Sequence, residues 1–113
     1  TAYLDAIRAS MNKIGVSAAD RDAYVNHASV AVGSANLTLD LIMKEKYKAL
    51  FLHPESWNDA RRYNYQYEDF GLPLNVVTAD FIRRLVYPSV ETSRNGANVP
   101  EVTGVLEKLW WDQ

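Results

Sequence analysis

The sequence predicts a mainly α-helical chain, helical over residues 1–62 and loop-rich over 63–113, with short extended segments in the second half. Three observations carry this. Apolar residues recur at spacings of three and four through the first half. Helix start and stop residues bracket those stretches. After Arg62 the periodicity gives way to Tyr, Asn, Gly and Pro, which break regular structure. At 113 residues the chain is one domain or part of a larger one, with room for a single modest core.

Residues 1–14 place Tyr3, Leu4, Ile7, Met11 and Ile14 on one stripe, and Gly15 stands where a C-terminal cap belongs. The run from Ser17 to Asp20 resembles a capping box, with Asp in the position usual for Glu. It opens a second helix expected to reach about Val30, its apolar face formed by Tyr24, Ala28 and Ala31. Residues 33–36 form a loop, and Thr38 is suited to cap the next helix. That helix carries Leu39, Ile42, Met43, Tyr47, Leu50 and Phe51 on one face and Lys44, Glu45 and Lys48 on the other. His53-Pro54 ends it, because proline lacks an N–H and drives the preceding residue out of the α region. A short helix follows, with Glu55 in its first turn and Arg61-Arg62 in its last, as the helix dipole favours.

Residues 63–73 are aromatic and polar, with Gly71 and Pro73 as punctuation, and are read as an irregular excursion. Residues 74–77 are expected to form a short extended segment, and 80–88 to be extended at its end, since Tyr87 precedes a proline. Residues 93–100 are expected to be loop around the turn dipeptide Asn95-Gly96, and 101–109 to hold a helical turn.

Composition narrows the function. Hydrophobic residues make up 48% and charged residues 23%, a globular rather than disordered balance. A net charge of −2 supplies no electrostatic footprint for nucleic acid or an anionic membrane. No apolar run approaches the roughly 20 residues of a membrane-spanning helix. With no cysteine there is no disulfide framework and no thiolate metal site. The chain opens inside a helical pattern, without initiator Met or signal peptide, and is therefore expected to be a fragment.

Candidate chemistry is sparse. Hydrolysis of a glycan needs an acid and a base or nucleophile at fixed separation. The available pairs are Glu55 with Asp59 and Glu68 with Asp69, and the first sits beside Arg61 and Arg62 in a dipole and ion-pair setting. His27 and His53 lie far apart without a second ligand at helical spacing, so neither a metal nor any cofactor is expected. The arginine pairs Arg61-Arg62 and Arg83-Arg84 suit a structural clamp, because a guanidinium ties several carbonyls and carboxylates together. Flat aromatic rings stack on sugars while polar neighbours bind hydroxyls, so Tyr63, Tyr65 and Tyr67, in a polar loop, are the candidate ligand-binding residues. Trp57 and Trp110-Trp111 are expected to be packing anchors.

These residues form an ordered series. Residues 42–51 are followed by Glu55, Trp57, Asn58, Asp59, Arg61 and Arg62, then by Arg83, Arg84, Leu85, Tyr87 and Pro88. Glu91, Asn95 and Asn98 come next, and 109–112 (LWWD) closes the chain. The series resembles the C-terminal portion of SusD-like (SusD/RagB) proteins over residues 38–112. Glu45 stands where that family usually has glutamine, and Ile82 where a proline often precedes the arginine pair. The resemblance implies a tetratricopeptide-like helical fold wrapped by extended loops. It also implies a lipoprotein on the outer face of the Bacteroidetes outer membrane, touching the membrane only through a lipid anchor outside this chain. There it would capture oligosaccharide or another nutrient for a SusC-like, TonB-dependent transporter in polysaccharide utilization, without catalysis. It further implies that Glu55, Trp57, Arg61, Arg62, Arg84, Tyr87 and Trp111 belong to the scaffold. Two other readings stand beside this one: a purely structural or interaction segment packed on further helices or on the transporter, and a small glycoside hydrolase.

Overall fold

The polar side chains of Ser17, Thr38 and His53 start helices in the computed structural model, which describes every residue except Asp69 and Gln113. Helix α1 (Ala2–Lys13) closes in a Schellman turn: the Gly15 amide donates to Asn12 O at 3.1 Å and the Val16 amide to Met11 O at 3.0 Å. Gly15 makes this turn at φ +78°, a conformation costly for a side chain with a Cβ. Helix α2 (Ala18–Val25) begins at Ser17, whose Oγ accepts the Asp20 amide at 3.2 Å and donates to the Asp20 carboxylate at 2.7 Å. Thr38 Oγ1 caps α3 (Leu39–Ala49) through the Leu41 amide at 3.3 Å. His53 caps α4 (Pro54–Arg62), its Nδ1 accepting the Glu55 amide at 3.2 Å, while Pro54 occupies the first helical position, where its missing N–H costs nothing.

The mainly helical class holds: five α-helices and two 3₁₀ turns (Ser34–Asn36 and Gly96–Asn98) lie among the described residues, and no strand does. Several details differ from the sequence reading. Helix α2 stops at Val25 rather than Val30, because the chain turns there, with Val30 and Ala31 amides both donating to His27 O. Ala28 and Ala31 are consequently exposed, and Val25 and Val30 take the inward positions instead. A fifth helix, α5 (Ser89–Arg94), replaces part of the expected loop; Pro88 sets its entry, with Glu91 and Arg94 at its dipole-matched ends. Residues 74–77 and 80–88 form no ladder, and 101–109 holds only an isolated turn at Val105 and Leu106.

Packing has two centres. Ile7, Val25 and Val30 form the first, covered by Tyr3, Leu4, Met11 and Tyr24 from α1 and α2. The second surrounds Ala60 and Arg61 on α4. Helix α3 joins them while burying none of its own residues fully. Toward the first centre Glu45 accepts from the Tyr24 hydroxyl at 2.8 Å and pairs with Lys48 at 2.6 Å. Toward the second, Tyr47 meets the rings of Tyr67 and Phe70, each at 5.3 Å, and Lys46 pairs with Asp59 at 2.7 Å. The expected apolar face of α3 is therefore divided: Met43, Tyr47 and Leu50 are half-buried, whereas Leu39, Ile42 and Phe51 are exposed.

Candidate functional site

Helix α4 puts Trp57, Asn58 and Arg61 on one side, since residues three and four apart are neighbours on a helix. The Arg61 guanidinium lies 3.9 Å from the Trp57 ring centroid and 4.7 Å from that of Trp111, near the chain terminus. It donates through Nη1 to the carbonyl of Arg83 at 2.8 Å and through Nη2 to Asn58 Oδ1. Among the described residues the Arg61 charge is met by rings, a carbonyl and an amide rather than by a carboxylate. Arg83 does have one: its Nη1 lies 2.8 Å from Asp112 Oδ1, and both side chains are almost wholly buried, at 7% and 2% exposure. Arg83 also donates to Arg61 O and Asn64 Oδ1, so the two arginines bond each other's backbones. Three sequence-distant pieces (α4 with the turn after it, residues 82–84 and the 109–112 tail) thus meet in one clamp.

The turn after α4 supplies the next layer. Helix α4 ends in a second Schellman turn, the Asn64 amide donating to Arg61 O at 3.0 Å and the Tyr65 amide to Ala60 O at 2.8 Å. Asn64 and Tyr65 both sit in the left-handed region, at φ +51° and +56°. This throws the Tyr65 ring onto Phe81, stacked at 4.4 Å and 5°, with the Arg83 guanidinium 5.0 Å from its centroid. Trp57 Nε1 donates to both the Tyr65 hydroxyl (3.0 Å) and Ile82 O (3.1 Å), and the Tyr65 hydroxyl donates to Ile82 O as well. Burial raises the Tyr65 pKa, opposed by the Trp57 N–H and the charges of Arg83 and Arg61. Further out, Arg84 pairs with Glu107 at 3.3 Å. The Thr103 amide and hydroxyl bonds, followed by the Arg84 charge, hold Glu107 below the ordinary glutamate value.

The three candidate ligand-binding tyrosines are half-buried and engaged with one another and with neighbours. Tyr63 donates to Asp40 Oδ1 on α3 and meets Tyr67 edge-on at 5.3 Å. Tyr67 packs among Tyr47, Tyr63 and Phe70, and burial, aided by the Asp59 charge, raises its pKa. The residues expected to form scaffold largely converge. Trp57, Arg61 and Trp111 are in the clamp, and Arg62 reaches the Trp111 ring at 5.9 Å. Arg84 lies 5.8 Å from the Tyr87 centroid, outside the clamp. The Glu55 carboxylate accepts from Asn58 Nδ2 at 3.3 Å, outside the clamp. Glu91, Asn95 and Asn98 form a chain of 2.7 Å side-chain hydrogen bonds along α5 and the following turn. Trp110, by contrast with its neighbour, is 84% exposed.

Of the carboxylate pairs, Glu55 and Asp59 are each engaged locally, by Asn58 and Lys46, while Glu68 pairs with Lys44 at 2.6 Å and Asp69 lies outside the described residues. His27 Nδ1 lies 2.8 Å from Ser29 Oγ, and no group of three or more His, Asp or Glu is placed to hold a metal among the described residues. Sequence reasoning missed Asn64 and Phe81. An Asn just past a helix end is a known left-handed cap and could have flagged the first; nothing local could have paired Phe81 with Tyr65. No family model, curated protein or solved structure matches the chain. No described helix is long and apolar enough to cross a membrane.

Proposed function

We propose that this chain is a non-enzymatic, SusD-like glycan-capture segment that works at the bacterial cell surface and hands oligosaccharide to a TonB-dependent transporter. The clamp carries the reading. Residues that carry the resemblance in three separate stretches, Trp57 and Arg61, Arg83, and Trp111 and Asp112, pack as one unit. A shared motif whose members hold each other is what a scaffold needs. The local engagement of Glu55, Asp59 and Glu68 favours binding over hydrolysis, since a glycosidase requires two carboxylates free to face one bond.

A second reading is favoured by a specific observation. The rings of Tyr63, Tyr65 and Tyr67 are occupied by internal contacts. In addition, α1 and α3 wall an open apolar groove of about 740 Å³ lined by Ile7, Met11, Ile14 and Ile42 among others. On this reading the segment is structural, packing on further helices or on the transporter, and touches no ligand.

Calorimetric titration with neutral oligosaccharides, alongside a reducing-sugar assay, separates the readings. Capture predicts saturable binding without sugar release. Release would overturn the non-enzymatic assignment, and absence of any binding would leave the structural role. Replacing Tyr63, Tyr65 and Tyr67 together by alanine tests their part: if they contact ligand, affinity falls in protein that retains its helical circular dichroism, and unchanged affinity removes them from the site.

A further inference from the structure

With the loop tyrosines turned inward, Tyr87 is the aromatic residue that lines a hollow in the second half. Residues 86–87 and 99–102 line it together with Thr92 and Gly96. The hollow measures about 290 Å³. That is near the lower limit of the roughly 300–1,000 Å³ typical of small-ligand sites, so it fits one ring with its hydroxyls rather than a chain. Its lining mixes the chemistries a sugar presents. Tyr87 is 36% exposed and offers ring surface, while Val86, Val99 and Val102 add apolar contact. Thr92 Oγ1 donates to Ser89 O at 3.0 Å, which leaves its oxygen lone pairs free to accept. Glu101 has no ion-pair or hydrogen-bond partner among the described residues, so its carboxylate is free to accept from two neighbouring hydroxyls. Arg84, 5.8 Å from the Tyr87 centroid, is paired with Glu107.

We propose that the hollow between Tyr87 and Glu101 is a subsite for one uncharged pyranose unit of a glycan. The charge choice follows from Glu101: a lone carboxylate welcomes hydroxyl donors and repels a uronate or sulfate. This inference rests on the capture reading and locates the contact within it.

The test is a two-dimensional NMR titration of the whole chain with cellohexaose, maltohexaose, xylohexaose and mannohexaose in turn. The expected result is that at least one probe shifts the amides of residues 86–87, 92, 96 and 101–102, and leaves residues 63–67 unmoved. Two variants then probe the hollow directly. A Cβ at Gly96 would meet nothing within 4 Å, so Gly96→Leu fills the space without disturbing the backbone. Glu101→Gln removes the charged acceptor on an exposed residue. Each should weaken binding about tenfold, the loss expected for one charge-assisted hydrogen bond or a blocked site. Shifts elsewhere, or variants with wild-type affinity, would overturn the subsite while leaving capture intact. A protein that binds none of the probes would overturn both.

Discussion

At the scale of single residues, the second half is held by a few charged and aromatic side chains rather than by an apolar core. Arg83 and Asp112 are the clearest case. Removing one partner of a buried pair leaves an uncompensated charge, which commonly costs about 3–5 kcal/mol. Asp112→Asn should therefore lower the urea midpoint substantially, with a loss near the lower end of that range because the amide still accepts from Arg83. The replacement Arg61→Lys illustrates the same chemistry from the other side. A lysine cannot present a flat face to Trp57 and Trp111 while donating to both Asn58 and Arg83 O. None of this partner choice was legible locally. Arg61 and Arg83 are 22 positions apart, and Arg83 and Asp112 are 29 apart. The sequence marked the arginines as clamp residues from their chemistry, but spacing arguments reach only three or four residues along a helix.

At the scale of elements, the caps were legible and the ends of the loops were not. Ser17, Thr38 and the His53-Pro54 break act where they were expected, because each is a short-range contest between a side chain and the backbone. Helix α5 was hidden behind Asn95-Gly96, whose turn signal outweighed a six-residue helix with no capping side chain. The α4 terminus offers a sharp element-level prediction. Asn64 both adopts φ +51° and accepts a hydrogen bond from Arg83. Asn64→Gly loses only the acceptor, whereas Asn64→Ala loses the acceptor and adds left-handed strain. Chemical denaturation should place the alanine variant about 1 kcal/mol below the glycine variant. Equal stabilities would mean that the Schellman turn does not fix the entry to the aromatic loop.

At the scale of the whole molecule, the chain is elongated. Its extents are 58 × 29 × 28 Å and its radius of gyration is 18.9 Å, against about 13 Å for a compact domain of this length. The sequence showed which residues were apolar but not that two small centres would share them, so stripes on α1 and α3 are only partly covered. Exposed Ile14 at the end of α1, and Leu39 and Ile42 on α3, follow from that division. The titration behaviour should reflect it. Tyr3, Tyr24, Tyr65 and Tyr67 all have pKa values raised above the ordinary 10.0, burial being the largest cause in each. The folded state therefore keeps these protons to higher pH than the unfolded state. The stability this represents is complete below about pH 10 and is lost as pH rises through the folded values. Urea midpoints at about pH 9 and about pH 11 should differ, the second being lower, and Tyr65→Phe should shrink the difference.

Amide hydrogen exchange on Asp112→Asn tests the central claim, that a clamp near the end of the chain holds the loop half onto α4. The Arg83 and Arg84 amides, which donate to Val105 O at 2.8 and 3.1 Å, report on the loops, and the Tyr63 and Tyr65 amides report on the end of α4. Both pairs should lose protection together in the variant, while the Ile7–Val25–Val30 centre keeps its own. Unchanged protection at Arg83 and Arg84 would contradict the account.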